Sequence, residues 1–188
     1  LSRLFLYQVQ NSTFLKEAIE IVKENSLGQA WILGGFVFRN LVAALYDTRP
    51  KFSDIDFVVE KLKTPLSIAN IWEVRQNALE GYCLKHQNGN RIDLTDFDRW
   101  VSFKNNNDQK CIEGVLSSTP LDIQSIAFNL QTQEIIGNLG IQAILLKKVK
   151  VNNRFHADMR ASLRKISVNQ YILEKSYSLG FDNETIDL

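Results

Sequence analysis

Apolar positions recur with two different spacings along this chain of 188 residues. Between Thr13 and Glu24 they fall three or four residues apart, which predicts an amphipathic helix with Ser12 or Thr13 as its N-cap. Shorter continuous or alternating apolar runs predict strands instead. We expect strands at 29–33, 54–60 and 133–137, a hairpin over 81–97, a strand or extended link at 148–151, and helices at 36–46, 65–79, 121–128, 140–146 and 155–179.

This order of elements, with strands and helices interleaved, predicts an α+β fold: a small mixed β-sheet flanked by helices, with a short helical extension at the C-terminus. The content of hydrophobic residues, 45%, suits one sizeable domain with a small appendage. We therefore expect a main domain over residues 1–150 and the helical extension over residues 151–188.

Composition narrows the class of protein further. No apolar run is long enough to span a bilayer, and the apolar start at residues 1–6 is too short for a signal peptide, so no membrane partner is expected. The two cysteines have no metal-ligand spacing, which favours a reduced, cytoplasmic setting. The formal net charge is +1, so the chain has no overall basic field that would indicate nucleic-acid binding.

The most informative pair of residues is Asp54 and Asp56, at the start of the apolar run at 57–59. Residues i and i+2 of a strand point to the same face, so both carboxylates would project from one side of one strand end. Two like charges held so close favour a bound cation, and hard oxygen ligands favour Mg²⁺. The pair therefore predicts a site for phosphoryl or nucleotidyl transfer.

A third carboxylate is offered by the predicted hairpin, whose turn at 87–90 carries an Asn-Gly pair. Alternation places Ile92 and Leu94 on one face of its second strand and Asp93 on the other. If this strand lies beside the Asp54/Asp56 strand, Asp93 can face the same metals. Two Mg²⁺ ions held in this way would activate an attacking hydroxyl and stabilise a leaving pyrophosphate.

Gly34 and Gly35 lie between a predicted buried strand and the helix that follows it. Glycine lets the backbone approach a phosphate closely, and a helix N-terminus supplies unpaired amides and a favourable dipole. A Gly-Gly pair alone is a weak signal, but one followed by a strand with paired aspartates is a good one.

The segment from Leu33 to Val37, together with Pro50 to Phe57, resembles the head domain of the polymerase-β-type nucleotidyltransferases. Within that superfamily it is most similar to the tRNA CCA-adding enzymes and bacterial poly(A) polymerases, whose pattern is Gly-Gly-x-Val-Arg-Asp followed by Asp-x-Asp on a strand. The segment at 92–95 is similar to the strand that carries the family's third acidic residue, and 122–137 is similar to a later family segment. The likeness covers residues 29–146.

The resemblance implies an Mg²⁺-dependent enzyme that transfers a nucleoside monophosphate from an NTP to an acceptor hydroxyl and releases pyrophosphate. Asp54 and Asp56 would bind both metal ions, and Asp93 the ion that activates the nucleophile. Gly34 and Gly35 would contact the triphosphate.

Several positions depart from the family pattern. Phe38 stands where the family has arginine, and Arg39, one place later, is the candidate phosphate ligand. In the later segment Leu121 and Ile126 replace a family arginine and asparagine. Near the C-terminus Asp158 and Arg164 lie at a spacing similar to that of the family's base-selecting Glu-Asp-x-x-Arg helix, but alanines occupy the glutamate and arginine positions, 157 and 161.

Three functions remain open at this level. The acceptor could be the 3′ end of an RNA such as a tRNA, or the hydroxyl of a small molecule or protein. The chain could also be a degenerate domain that binds nucleotide or a partner without catalysis. Three intact carboxylates favour an enzyme.

Other polar residues have ordinary interpretations. His86 and His156 lie far apart in sequence and are expected to be solvated or structural. The C-terminal fifth of the chain is locally basic, which fits a solvated helix face as well as a contact with phosphate or RNA. The basic residues concerned are Lys147, Lys148, Lys150, Arg154, Arg160, Arg164 and Lys165.

Overall fold

In a computed structural model, described for residues 1–48, 54–77, 80–103 and 110–181, the chain forms one mixed sheet with helices packed on it. Seven strands of these ranges follow the order β3-β4-β5-β2-β1-β6-β7. β2 and β5 are parallel, and every other neighbouring pair is antiparallel. The predicted α+β class with a small mixed sheet is confirmed.

The elements begin and end close to the expected positions for most of the chain. The strands are β1 (Ser26–Leu33), β2 (Ile55–Leu62), β3 (Trp72–Gln76), β4 (Tyr82–His86), β5 (Arg91–Asp96), β6 (Ala127–Asn129) and β7 (Ile135–Ile136). The α-helices are α1 (Ser2–Val9), α2 (Thr13–Asn25), α3 (Gly34–Tyr46), α4 (Ile112–Ser117), α5 (Asn138–Leu146), α6 (Arg154–Leu163) and α7 (Val168–Tyr177). Short 3₁₀ turns lie at Phe97–Arg99, Val101–Phe103 and Asp122–Gln124.

The two faces of the sheet bury different side chains, as strand alternation requires. On β1, Ile32 belongs to a large core beneath the helices, whereas Trp31 belongs to a smaller core on the opposite face. On β2, Phe57 and Val58 divide in the same way. We call these the covered face and the open face, because only part of the second is packed, chiefly by α4 and the 3₁₀ turns at 97–103.

The predicted hairpin is confirmed: β4 and β5 pair antiparallel, with Leu84 opposite Ile92. Ile92 and Leu94 are buried on the covered face, so Asp93 points to the open face. β5 then pairs in parallel with β2. This parallel pair has no direct turn between its strands, and its formation depends on the whole sheet assembling.

The predicted helix at 65–79 is wrong for the described part of that range. Trp72 to Gln76 form the edge strand β3, which pairs with β4. Upstream, the Asn25 side chain accepts a hydrogen bond of 2.6 Å from the Ser67 amide and donates one of 2.9 Å to the Ser67 carbonyl. The backbone groups that would have formed helical hydrogen bonds are therefore bonded to residues distant in sequence. The weak local helix propensity does not outweigh these tertiary contacts.

Two further predictions need correction. The helix expected at 121–128 is a single 3₁₀ turn followed by strand β6, because Phe128 and its neighbours pair with β1. The C-terminal helical stretch is two helices rather than one, separated by Lys165 in a left-handed conformation with φ of 57° and restarted by Ser167 as N-cap. The expected extended link at 148–151 makes one isolated bridge, from Val151 to Leu121.

The two C-terminal helices pack on the main core. Ala161 of α6 and Tyr171 and Ile172 of α7 belong to the core of the covered face together with residues of the sheet. The division of the chain at residue 150 stays a prediction. Among the described residues, no helix is both long and apolar enough to cross a membrane.

Candidate active site

A cleft of about 510 Å³ opens on the open face of the sheet. Its floor carries Asp56 and Asp93, and one side is the turn at Gly34 and Gly35. The other walls come from residues 100–102, residues 118–120 and helix α6. Asp56, Asp93 and the glycine turn therefore meet at one cavity, whereas Asp54 is not among the residues that line it.

Asp56 and Asp93 are brought together by strand register. They are direct partners in the parallel pairing of β2 with β5, and both point to the open face. Asp54, two residues before Asp56, lies just ahead of β2 and is 40% exposed. Residues 49–53, which complete the motif upstream, lie outside the described residues.

The surroundings of Asp56 raise the pKa of its carboxyl from 3.8 to about 6. The largest cause is withdrawal from bulk water by the cleft walls, followed by repulsion from Asp93 and from Asp54. Asp56 is nevertheless exposed by accessible surface, and it lines the cleft. A carboxylate crowded by two others is a position where a cation is favoured.

Arg91 supplies one such cation. It lies two residues before Asp93 on the same strand face and contacts both oxygens of that carboxylate through Nη2, at 3.1 and 2.7 Å. Its Nη1 lies 3.3 Å from Asp54 Oδ2. Arg91 therefore neutralises part of the carboxylate cluster by itself, which the spacing of the aspartates could not reveal.

The donors at this position fit Mg²⁺ chemically, since they are carboxylate oxygens on neighbouring strand positions. They do not form a complete cage: in the ranges that the structure describes, no three His, Cys, Asp or Glu side chains are arranged around a common metal position. Mg²⁺ commonly uses only one or two carboxylates and completes its shell with water and phosphate. Asp56 and Asp93 satisfy that smaller requirement.

The first residue of the glycine turn must be glycine for a steric reason. Gly34 begins α3 with a φ of +34°, and a Cβ there would lie 3.3 Å from the Gln124 carbonyl oxygen. Its amide donates to the Ile126 carbonyl at 2.9 Å. Phosphate contacts would thus fall to Gly35 and to later amides of the first turn of α3, rather than to the Gly34 amide.

Arg39 lies beside the same turn in spite of its shifted position in sequence. A Cβ atom added to Gly35 would lie 3.7 Å from Arg39 Nη1 and 3.9 Å from Asp56 Oδ2, so the two groups flank the glycine. One helical turn separates Gly35 and Arg39 along α3, which accounts for the contact. The guanidinium of Arg39 therefore lies beside the glycine turn that borders the cleft.

The three residues that replace family positions do not face the cleft. Phe38, Leu121 and Ile126 are fully buried and belong to the main core. Their substitutions change packing instead of removing a side chain from the cavity.

The far wall is formed by one face of α6. His156, Met159 and Arg160, spaced as neighbours on a helix surface, line the cleft. Ser102 Oγ and His156 Nε2 lie 3.2 Å apart, which joins this helix to the wall at 100–102. Burial, and then the charge of Arg160, lower the pKa of His156, so its imidazole is neutral at pH 7.

Two asparagines hold α6 in place. Asn153 caps the helix by accepting from the His156 amide at 3.1 Å. Asn152 donates from Nδ2 to the Leu116 carbonyl at 2.9 Å and to the Thr119 carbonyl at 3.0 Å. The far wall is therefore tied to the wall at 118–120.

Sequence reasoning did not place Arg91 or His156 at the cleft, and it named Arg160 only as one of the basic residues of the C-terminal fifth that could contact phosphate or RNA. Only Arg91 carried a usable signal, since it shares a strand face with Asp93 at spacing i, i+2. His156 was expected to be solvated or structural, and only the packing of α6 brings it to the cavity. Asp96, three residues after Asp93, lies on the opposite strand face: it is buried, accepts from the Leu62 amide at 3.2 Å and pairs with Arg99.

Comparison with solved structures shows which known proteins share the fold of this chain. A CCA-adding enzyme in complex with CTP matches 98% of this chain and 47% of its own, with a TM-score of 0.57 and 16% identity. The fold is that of the CCA-adding enzymes. The Thermotoga maritima CCA-adding enzyme complexed with tRNA matches with a TM-score of 0.56 and 16% identity, over 96% of this chain and 46% of that one.

A third match is the Bacillus stearothermophilus CCA-adding enzyme in complex with CTP, with a TM-score of 0.55 and 16% identity over 88% of this chain and 38% of that one. The chain thus spans less than half the length of these CCA-adding enzymes. No protein-family model matches the chain, and no curated protein matches it in sequence.

Proposed function

We propose that the chain is a nucleotidyltransferase that transfers a nucleoside monophosphate from an NTP to an acceptor hydroxyl and releases pyrophosphate. The observation that carries the proposal is the pairing of Asp56 with Asp93 across parallel strands, in the same cleft as the Gly34–Gly35 turn. Likeness in fold to CCA-adding enzymes, two of whose matching structures hold CTP, supports it.

Each residue has a role in this scheme. Asp54, Asp56 and Asp93 would hold two Mg²⁺ ions. When bound, Mg²⁺ supplies activation of the acceptor hydroxyl and neutralises charge on the leaving pyrophosphate. Gly35 and the N-terminus of α3 would bind the triphosphate through amides and the helix dipole, and Arg39 would add a guanidinium to the same group. Little covalent chemistry is required of the protein, because positioning and charge carry the rate.

The acceptor we favour is the 3′ end of an RNA such as a tRNA. Its support is the fold shared with the Thermotoga maritima enzyme, whose matching structure contains tRNA. The hydroxyl of a small molecule or of a protein is the alternative. It is supported by the net charge of +1, which provides no general attraction for a polyanion.

A second candidate function, nucleotide binding without catalysis, is favoured by Arg91. Its contacts with Asp54 and Asp93 make the carboxylate cluster tolerable in the absence of metal. In a carboxylate cluster without its own cation, three neighbouring aspartates would be strong evidence for a bound metal and for catalysis. Here Arg91 supplies a cation, so the three aspartates are weaker evidence for catalysis.

The first test is calorimetric titration of the four NTPs with and without Mg²⁺, on the wild type and on the double variant Asp54→Ala/Asp56→Ala. We expect Mg²⁺-dependent binding that the double variant loses. The matched control is Asp98→Asn, an exposed aspartate that is paired with Lys110 outside the cleft. Absence of NTP binding by the wild type would rule out both nucleotide functions.

Catalysis is separated from binding by exchange of labelled pyrophosphate into the bound NTP and by incorporation of labelled nucleotide into candidate acceptors. A wild type that binds NTP and Mg²⁺, but labels neither tRNA nor small-molecule or protein acceptors and exchanges no pyrophosphate, would support the binding-only function.

A further inference from the structure

Arg160, on helix α6, lines the same cleft as the carboxylates. It lies on the same face of α6 as His156 and Met159, while its neighbours Ala157 and Ala161 are buried against the core. The helix is therefore fixed in rotation, with alanines inward and Arg160 toward the cavity.

Arg160 differs from the other two arginines of the cleft in its partners. Arg91 is paired with Asp54 and Asp93, and Arg99 with the buried Asp96. Arg160 forms no ion pair with any residue of the described ranges, although it faces a cavity. A guanidinium without a carboxylate, directed into a cleft, is suited to an anion that arrives from solution.

The residues that share the cleft with Arg160 indicate which anion it would bind. Arg160 lines the same cavity as Asp56 and Asp93, and the turn at Gly34 and Gly35 borders that cavity too. A chain of phosphates that runs from the carboxylate floor along this turn would pass between α3 and α6.

We propose that Arg160 is a polyphosphate ligand that binds the triphosphate of the NTP from α6, opposite Gly35. The inference rests on the proposed function and adds a residue to it. It also assigns a role to the C-terminal helices, which would complete the nucleotide site. A planar guanidinium can donate two parallel hydrogen bonds to one phosphate, which favours arginine over lysine at such a position.

The test measures binding of ATP, CTP, GTP, UTP, tripolyphosphate and adenosine in the presence of Mg²⁺, on the wild type, Arg160→Gln and Arg160→Lys. We expect Arg160→Gln to weaken tripolyphosphate and all four NTPs by a similar factor of about 10 to 100 and to leave adenosine unchanged. Arg160→Lys keeps the charge and retains part of the affinity. Arg154→Gln is the matched control on the same helix, because Arg154 is exposed and paired with Asp158.

Other results would overturn the proposal in recognisable ways. If Arg160→Gln changes the preference among the four bases while tripolyphosphate binds as before, Arg160 faces the base and not the phosphates. If both variants fold, as judged by thermal unfolding, and bind every ligand as the wild type does, the residue has no part in binding and the proposed function stands without it. A wild type that binds neither NTP nor tripolyphosphate would overturn the proposed function itself.

Discussion

The two faces of the central sheet are made by the same strands but have opposite properties. On β2, Phe57 points to the covered face and is buried among helices, whereas Asp56 points to the open face and lines the cleft. On β5, Leu94 and Asp93 divide in the same way. Adjacent residues of one strand thus serve stability and chemistry separately.

This division has a physical reason. The covered face can be filled with apolar side chains because six of the seven described α-helices contribute residues to its core. The open face is packed only toward one end, by Phe97, Phe103 and the helix α4. Charged groups can remain near the other end because the cleft admits water and ions. Packing on the covered face therefore keeps the strands aligned, and with them the residues of the open face. The following four changes test this division between the two faces.

The largest expected effect on stability is from Phe57→Ala. Phe57 is 1% exposed, and its removal would leave a cavity in the main core. We expect a loss of about 3 to 5 kcal/mol in the free energy of unfolding, measured by urea denaturation. Val74→Ala, at an exposed position of β3, is the control and should change it by less than about 0.5 kcal/mol. A similar loss in the two variants would contradict the division.

Asp56→Asn is expected to act on function and not on folding. Removing one charged group that acts on the reacting centre typically lowers the rate by a factor of about 100 to 1,000, and nucleotide transfer should fall by that amount. The midpoint of urea denaturation at pH 7 should not decrease, because the variant relieves repulsion from Asp54 and Asp93. Loss of the fold in this variant would mean that the open face also carries stability.

Lys175→Met tests a charge that lies on the covered side. Burial, and then the charges of Arg39 and Arg164, lower the pKa of Lys175 from 10.5 to about 8. The folded state thus binds this proton more weakly than the unfolded state, so its penalty is complete below pH 8 and disappears as the pH rises to 10.5. At pH 7 the variant should be more stable by about 1 to 3 kcal/mol, an upper range because the side chain is partly accessible.

The check for Lys175 is urea denaturation of wild type and variant at pH 7, 8, 9 and 10. The difference between them should shrink steadily above pH 8. Lys148→Met, at an exposed position, controls for the general effect of removing a lysine. A difference that stays constant over this range would show that Lys175 is not destabilised by its surroundings.

The smallest expected effect is that of Arg91→Ala. Without metal, the variant loses its contacts with Asp54 and Asp93 and leaves three carboxylates uncompensated, so stability should fall by about 1 kcal/mol. Added Mg²⁺ should restore the stability of the variant, because the ion can bind the carboxylate oxygens that Arg91 contacts in the wild type. Binding of Mn²⁺ followed by electron paramagnetic resonance should be tighter in the variant. Arg75→Ala, whose exposed arginine pairs with Glu73, should respond to neither ion.

The local sequence pattern was sufficient to predict those elements whose buried face or turn is encoded by residues close together in the chain. The stripe of α2, the hairpin of β4 and β5, and the turn at Gly34 could all be predicted, since periodicity and turn residues encode them within a few positions. The alternation on β5 also predicted that Asp93 lies on the face opposite Ile92 and Leu94. The helix expected at 65–79 was wrong because Trp72 to Gln76 find their hydrogen-bond partners on another strand.

Sequence alone therefore determined the carboxylate pair, the glycine turn and the class of fold, because each is written in residues that are close along the chain. Tertiary structure decided which distant residues share the cleft. Packing between segments far apart in sequence sets the parallel register that places Asp56 beside Asp93 and forms the ion pairs of Arg91. It also fixes the rotation of α6 that turns Arg160 toward the cleft. No local spacing can encode a distance that only the assembled sheet and helices create.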